Sequence, residues 1–585
     1  MWRSRRSRSS MKTSVPVARR TRSRARPQRG SRASIPRCTS ASTTPIRSAS
    51  ASRPSGPRIP SGSSRARRSP PARHDLPRSA VAPDPGAHGR RLQRDDRRDR
   101  DGLRDPDATP ARPDGGVRLA PMASSATAEL ARFASALSLA DVPVPVVGAV
   151  KRLVLDHLGC ALGGSRTPLA RAAADVAVAD RGSGATVIGT RRRAAPGPAA
   201  FANAMAANAL DYDDTGATGH PGATVIPAAL ALAEVGGRSG TELMTAVVAG
   251  YEVWARILAG VQPSWERRVQ VYGSGVTQTF GAAAAAARLL GLGYEEMLCA
   301  FGLAGAFAPL PHEAKFGWNE DQLSWVKDNV AWPAEGGVRA ALLAASGFRA
   351  TRTILDGDRG LWRMLGSDRC DFDRMVHDLG TDWELLRVSL KPYPCCRWIH
   401  STLDAVRDLV AGQGLRPSDV RRVTVRSIEA FRAWFHSRRP ASMVDAQFSV
   451  PHAVAMAILD RPPPEWWWDA NRTDPAVLDL MDRVELKTDP AAQDTWATIR
   501  HSARIPATVV IETPGGTVEA RRRHARGGPD EPMTNEETER KYRELAEPVL
   551  AAAGTARVLE LVAKLERLQP VTLLTTALAP DGGDG

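Results

Sequence analysis

Residues 196–234 read PGPAAFANAMAANALDYDDTGATGHPGATVIPAALALAE, and how this stretch is read sets the reading of the whole chain. Both ends are Ala-rich. Pro196 stands ahead of Ala199–Leu210, and Pro227 opens a second run that reaches Glu234. Alanine has the highest helix propensity and proline suits a helix's first turn, so the pattern predicts two helices. Between them lie Asp211, Asp213 and Asp214, with Thr215, Thr218 and His220. A polar loop held between rigid helices is where binding and catalytic groups concentrate, although the same residue types also serve as plain turns and caps.

Working outward, the pattern stays helical from Ser124 to about Leu385. Val150, Leu153, Leu158 and Ala161 fall at helical spacing within Val147–Ala161. Ser239 and Glu242 form a capping box ahead of Leu243–Leu258. Helices are also predicted over Thr279–Leu290, Tyr294–Ala306 and Gly336–Ser346. Short strands then appear at Val420–Val425, Val484–Lys487, Thr508–Glu512 and Thr517–Ala520, among helices at Ile399–Val410 and Phe448–Leu459. Glu536–Val549 and Arg557–Leu565 return to helix. The expected fold is mainly α: a large all-α helical domain (122–386), an inserted smaller α+β lid domain (387–534) and C-terminal helices (535–585) returning to the first. The small residues would let helices approach closely, within one chain or between subunits.

The chain has 585 residues and a formal net charge of +17, distributed unevenly. Residues 1–121 hold 30 Lys and Arg against 9 Asp and Glu, while the rest holds 50 against 54. The body is therefore no basic nucleic-acid binder. Residues 1–121 are rich in Arg, Ser and Pro and are expected to be disordered, because they cannot bury enough apolar surface to order themselves. Three readings compete for them: a start codon placed too far upstream in a GC-rich gene (the favoured one), a mitochondrial transit peptide, and a nucleic-acid-binding tail. Six cysteines without CxxC or ligand spacing argue against a zinc site or a disulfide scaffold. No run of 18 apolar residues lacks a charge, so no membrane span is expected.

Three constellations could carry chemistry. In the first, Asp211-x-Asp213-x-Thr215 matches a phosphatase nucleophile motif, but that motif needs a preceding strand and here a helix precedes it. A divalent-metal cluster there finds no second acidic group at matching spacing. The second is Lys391-Pro-Tyr-Pro-Cys-Cys-Arg-Trp-Ile-His400. Cations at a helix start do little for its dipole, so Lys391 and Arg397 suggest anion binding; His400 is open between a structural and a functional role. The third is Lys327-Asp328, a pair that on a surface would simply be solvated. Trp466–Trp468 reads as a surface edge or subunit contact. No GxGxxG, Walker A or GxSxG motif is present.

Taken in order, Ala207-Asn-Ala-Leu-Asp-Tyr-Asp-Asp-Thr215, His220-Pro-Gly, Phe280-Gly-Ala-Ala, Gly337-Val, Lys391-Pro-Tyr-Pro-Cys-Cys-Arg, Phe448-Ser-Val-Pro and Lys541-Tyr-Arg resemble the MmgE/PrpD family from about Thr127 to Leu565. That family includes 2-methylcitrate dehydratase, cis-aconitate decarboxylase and iminodisuccinate epimerase. The resemblance implies a cleft between helical and lid domains for a small di- or tricarboxylate, a homodimer, and catalysis without metal or organic cofactor. It places Asp211, Thr215 and His220 on the helical side, Lys327 before the Gly-Val helix and Lys391 on the lid. Tyr272, Cys396 and His452 depart from the family pattern where substrate choice would be made.

Removing water from a hydroxy acid needs a base, an acid and cations for the charge that develops α to a carboxylate. His220, oriented by Asp211, is the expected proton-transfer group because its unperturbed pKa lies near operating pH. Thr215 would bond substrate, Lys327, Lys391 and Arg397 would hold carboxylates, Cys396 and His400 would line the lid side, and Tyr272 with His452 would form a second acid–base pair. The expected activity is that of a hydro-lyase on a substrate such as 2-methylcitrate. The alternatives are decarboxylation, epimerisation, or nucleic-acid binding by the Arg-rich tail. A cytoplasmic location is expected, with mitochondrial targeting as the alternative; no membrane partner is expected, nor any nucleic acid for residues 122–585.

Overall fold

The computed structural model describes residues 125–177, 184–268, 270–271, 273–311 and 323–580. The segment 1–121 and Tyr272 lie outside them. The larger part is built from α1 (Ala126–Ala136), α2 (Val144–Ser165), α3 (Pro168–Ala177), α4 (Pro196–Asn208), α5 (Gly222–Val235), α6 (Gly240–Gly260), the single turn α7 (Trp265–Arg268), α8 (Gly275–Leu289), α9 (Tyr294–Phe307) and α10 (Ala331–Ala345). A two-residue antiparallel ribbon, β1 (Ala185–Thr186) with β2 (Arg193–Ala194), sits ahead of α4 and was not expected.

The local signals explain the helix ends. Pro196 is at the first turn of α4. Ser239 Oγ accepts from the Glu242 amide and the Glu242 carboxylate accepts from the Ser239 amide, so the capping box of α6 is present. Pro227 is a correction: α5 begins five residues earlier, at Gly222, directly after His220-Pro221, and Pro227 lies inside the helix. The polar loop is thereby shorter than the alanine pattern suggests.

Every residue of α5 from Gly222 to Glu234 is buried, and α8 is almost as enclosed. Helix α6 is long and apolar enough to cross a membrane by composition alone, yet 89% of its apolar window is buried inside this fold. It crosses α8 at a paired close approach. A Cβ on Gly250 would lie 2.7 Å from the Gly281 carbonyl oxygen, and one on Gly281 would lie 2.7 Å from the Gly250 carbonyl oxygen. The two backbones touch where side chains would otherwise hold them apart.

The inserted part carries a four-stranded sheet of order β4-β3-β5-β6, from β3 (Arg422–Ser427), β4 (Val484–Thr488), β5 (Ala507–Thr513) and β6 (Gly516–Arg522). β3 and β4 run parallel and the other pairs antiparallel. Val423 and Val425 face Ile511 and Val509 across the ladder, and all four are buried beneath the helix His400–Gln413. Trp466 and Trp467 are not a surface edge. Both are buried in this second core, Trp466 stacked on Tyr393 and Trp467 donating to the Leu210 carbonyl. The two expected C-terminal helices form one run, Asn535–Ala563, broken at Ala551 where φ is 54°. It packs along α2, with Tyr542 against Gly159.

Gly to Ala inside a helix normally adds up to about 1 kcal/mol of stability. At the α6–α8 crossing the sign should reverse: Gly250→Ala and Gly281→Ala are each expected to destabilise by roughly 1–3 kcal/mol through overpacking. Urea unfolding of each variant measures this. Unchanged or raised stability would show that the helices can move apart at no cost.

Candidate active site

The loop from Leu210 to Pro221 is buried between α4 and α5, so its backbone groups need partners inside the protein. The lid and the C-terminal helix supply them. Thr215 exchanges two backbone bonds with Ser389, at 2.9 and 2.7 Å. Lys541 Nζ donates to the Tyr212 carbonyl (2.7 Å) and pairs with Asp156 of α2. Tyr212 donates its hydroxyl to the Pro392 carbonyl, and Ser502 donates to the carbonyls of Gly216 and Ala217. Asp211 turns the chain in the left-handed region at φ 51°, which Asp tolerates better than most residues.

Asp211 is the meeting point of charge. Its Oδ1 lies 3.0 Å from Lys327 Nζ and 3.1 Å from Lys391 Nζ, and Lys391 also donates to its carbonyl. All three side chains are buried. Lys327 is therefore no solvated surface residue. Burial would lower its pKa, but Asp211 and Asp328 outweigh that and hold the ammonium above its usual value.

His220 is oriented by Asp213, not by Asp211. Its Nδ1 lies 3.0 Å from Asp213 Oδ2 and its Nε2 lies 3.5 Å from Asp328 Oδ2. Asn208 steadies Asp213 from the other side at 3.1 Å. Burial pulls the imidazole's pKa down, yet the carboxylates of Asp328 and Asp213 raise it to about 10. His220 is thus an imidazolium at neutral pH, against the expectation of a near-neutral base. Asp213 in turn is held below the usual carboxylate range, its burial outweighed chiefly by His220. Asp214 serves the scaffold: it accepts from the Gly222 amide and the Tyr251 hydroxyl, and burial raises its pKa to about 7.

Asp211, His220, Lys327, Asp328 and Lys391 line a small cavity of about 50 Å³ with Thr215, Ser274, Cys396, Arg397, Trp398, Phe448 and Ser502. Arg397 enters from the lid and is fully buried. Its hydrogen bonds go to neutral acceptors, namely His400 Nδ1 at 2.9 Å and the carbonyls of Arg526 and Ala525. Desolvation lowers its pKa to about 10, which leaves it charged at neutral pH. His400 bonds the Cys395 carbonyl through Nε2 and so positions Arg397 without lining the cavity itself. Cys396 reaches the cavity, but burial keeps its thiol well above the usual range. Three polar atoms of lining residues, Asp211 Oδ2, Thr215 Oγ1 and Arg397 Nε, are buried without a hydrogen-bond partner among the described residues.

His452 does not join them. It is buried in the lid core, stacked on Trp467, with its pKa lowered to about 3 by burial and Arg472. A neutral ring enclosed by aliphatic and indole groups is a core residue, so the expected acid–base pair with Tyr272 loses one member. Asp211, Asp213 and His220 bring donor atoms within 4.8 Å of one another, close enough for a metal ion. However, two lysine ammoniums already neutralise Asp211 and the imidazolium occupies Asp213, so this donor set repels a further cation. The sequence reading gave no site role to Asp213, Asp328, Ser502 or Lys541. Asp213, Asp328 and Lys541 did stand in motifs it singled out, and Ser502 stood in none.

Comparison with known proteins agrees with this architecture. Residues 128–372 match the MmgE/PrpD N-terminal domain and residues 393–567 match the MmgE/PrpD C-terminal domain. The chain is 28% identical over 490 residues to a cis-aconitate decarboxylase of Aspergillus terreus, covering 78% of this chain and 96% of that protein. It is 27% identical over 477 residues to a cis-aconitate decarboxylase of Homo sapiens, covering 78% and 95%.

An imidazolium held between two carboxylates has a testable titration. The pKa of His220 is raised above its unfolded value, so its stabilising contribution is complete below about 6.5 and is lost as pH rises toward 10. NMR of ring-labelled histidine should show His220 protonated through neutral pH, and Asp213→Asn should bring its pKa down. Deprotonation near 6.5 in the unmodified protein would contradict the geometry.

Proposed function

This chain belongs to the MmgE/PrpD family and is a lyase-class enzyme, and from that premise we propose that it is a decarboxylase of a small tricarboxylate resembling cis-aconitate. The observation that carries the choice is the pair of carboxylates, Asp213 and Asp328, that flank the two ring nitrogens of His220 and favour its protonated form. A hydro-lyase needs a free base beside the carbon that loses its proton, and a group with a pKa near 10 is protonated at neutral pH. A decarboxylase needs the opposite, a proton donor for the carbon that loses CO2. The relatives named above point the same way.

The bond changes balance with the residues present. The C–C bond to one carboxylate breaks and CO2 leaves. The electron pair stays on the neighbouring carbon, where an adjacent double bond or carboxylate delocalises it. His220 gives its proton to that carbon skeleton, and solvent restores the proton before the next turnover. Asp213 and Asp328 keep the imidazole aimed throughout. Arg397 holds a carboxylate that stays on the substrate, because its bonds inside the protein leave its charge uncancelled. Thr215 Oγ1, which has no protein partner, bonds substrate. The apolar wall of Phe448 and Trp398 favours neutral CO2 over a carboxylate in its place. Cys396 stands where the decarboxylase pattern has a lid histidine, so substrate fit on that side depends on a neutral thiol.

A cavity of about 50 Å³ is smaller than a tricarboxylate. Substrate entry therefore requires lid and helical domain to part. Incubation with cis-aconitate or 2-methylcitrate in D2O, followed by proton NMR, tests the reading. The expected result is CO2 release from the unsaturated acid with deuterium in the product. His220→Ala should lower the rate by about 10²–10⁴-fold, and Arg397→Met should raise KM. Loss of water from 2-methylcitrate without CO2 release would overturn the decarboxylase reading in favour of a hydro-lyase.

A further inference from the structure

A second cavity of about 690 Å³ lies against Gly216, Ala217 and Thr218, and Thr218 lines the smaller cavity as well. That volume is in the range of small-molecule sites. Six arginines line it: Arg268, Arg369, Arg374 and Arg387 from the segments following α6 and α10, and Arg500 and Arg504 from the lid. One carboxylate, Glu384, is among its lining residues. Arg387 and Arg504 are partly neutralised, by Asp382 at 2.8 Å and Asp530 at 2.7 Å. Arg369 and Arg500 instead bond the backbone carbonyls of Gln262 and Pro263. Those bonds fix the guanidiniums without cancelling their charge. Partial burial and the neighbouring Arg268 and Arg369 disfavour the charged form of Arg500, and Glu266 and Asp368 offset this only in part.

We propose that this cavity is a second anion site, which takes a small, multiply charged phosphate or polycarboxylate. Like charges gathered around a solvent-filled space raise one another's energy, and a polyanion relieves that cost while accepting paired N–H donors from the guanidinium forks. The site spans both parts of the fold. Arg268, Arg369 and Arg374 belong to the helical side, while Arg500 and Arg504 flank His501 and Ser502 on the lid. Ser502 is bonded to Gly216 and Ala217 of the loop that carries Thr215 and His220. An anion held from both sides therefore draws the lid segment 500–504 toward the helical domain and couples to the smaller cavity. By linkage, a ligand in either cavity changes the affinity of the other by the same factor. The inference does not rest on the reaction assigned to His220.

Calorimetric titration of the full chain with inorganic phosphate and, separately, with citrate, at fixed ionic strength, tests it. Saturable binding is expected in the native protein and in Arg397→Met, which removes the carboxylate anchor of the smaller cavity. R369Q/R500Q should weaken that binding at least about tenfold, and R369K/R500K should recover part of it. Arg374→Gln changes an exposed side chain, so it guards against loss of fold and should still cost several-fold. The tighter of the two probes identifies the ligand as phosphate-bearing or polycarboxylate. Binding that Arg397→Met abolishes, that R369Q/R500Q leaves within twofold, or that fails to saturate at millimolar concentration overturns the proposal.

Discussion

A buried carboxylate shared by two buried ammoniums is the constraint on which this structure depends. Asp211 sits at the turn out of α4, Lys327 precedes α10, and Lys391 opens the lid. Three segments far apart in sequence must arrive together, because any one of these charges left alone in the interior would cost several kcal/mol. Once they meet, the loop between α4 and α5 has one place to go. His220 and Thr215 then face the cavity as a consequence of that fixed loop, with Asp213 bonded to the imidazole. The price of the arrangement is that neither lysine is free to neutralise a substrate carboxylate alone, and Arg397 inherits that role.

The parts of the fold visible in the sequence are those set by near neighbours. Ser239 and Glu242 are three residues apart, and their capping box stands as read. The alanine runs give helices, and the β-branched run in Thr508–Glu512 gives a strand. Pro227 marks no helix start, because Pro221 already stands directly ahead of α5 at Gly222 and the helix runs on through Pro227. Trp466 and Trp467 follow a proline run that suggests exposure, but the sequence does not show that Leu210 and Tyr393 enclose them.

The site was legible in its members more than in its wiring. Asp211, Thr215, His220, Lys327, Lys391, Cys396 and Arg397 do line one cavity. Which carboxylate serves which cation was not readable, because Asp211, Asp213 and Asp214 are equivalent on paper and their separate fates are decided by tertiary neighbours. Asp328 is the clearest example. Beside a lysine it looks like half of a surface pair, yet it closes the far side of His220 and raises the pKa of the imidazole. His452 failed for the complementary reason, since its helix turns the ring into the lid core.

The pair between Lys541 and Asp156 joins residues 385 positions apart. On a ribosome adding roughly 5–20 residues per second, Asp156 waits on the order of 20–80 s for its partner. During that interval α2 lacks the helix that covers it, and the Tyr212 carbonyl lacks its donor. The first several helices can collapse early through local contacts, but the loop between α4 and α5 cannot reach its final form until residue 541 has emerged. Assembly of the site thereby waits on synthesis past residue 541, and nascent chains stalled before it would leave the face of α2 around Asp156, Gly159 and Gly163 uncovered.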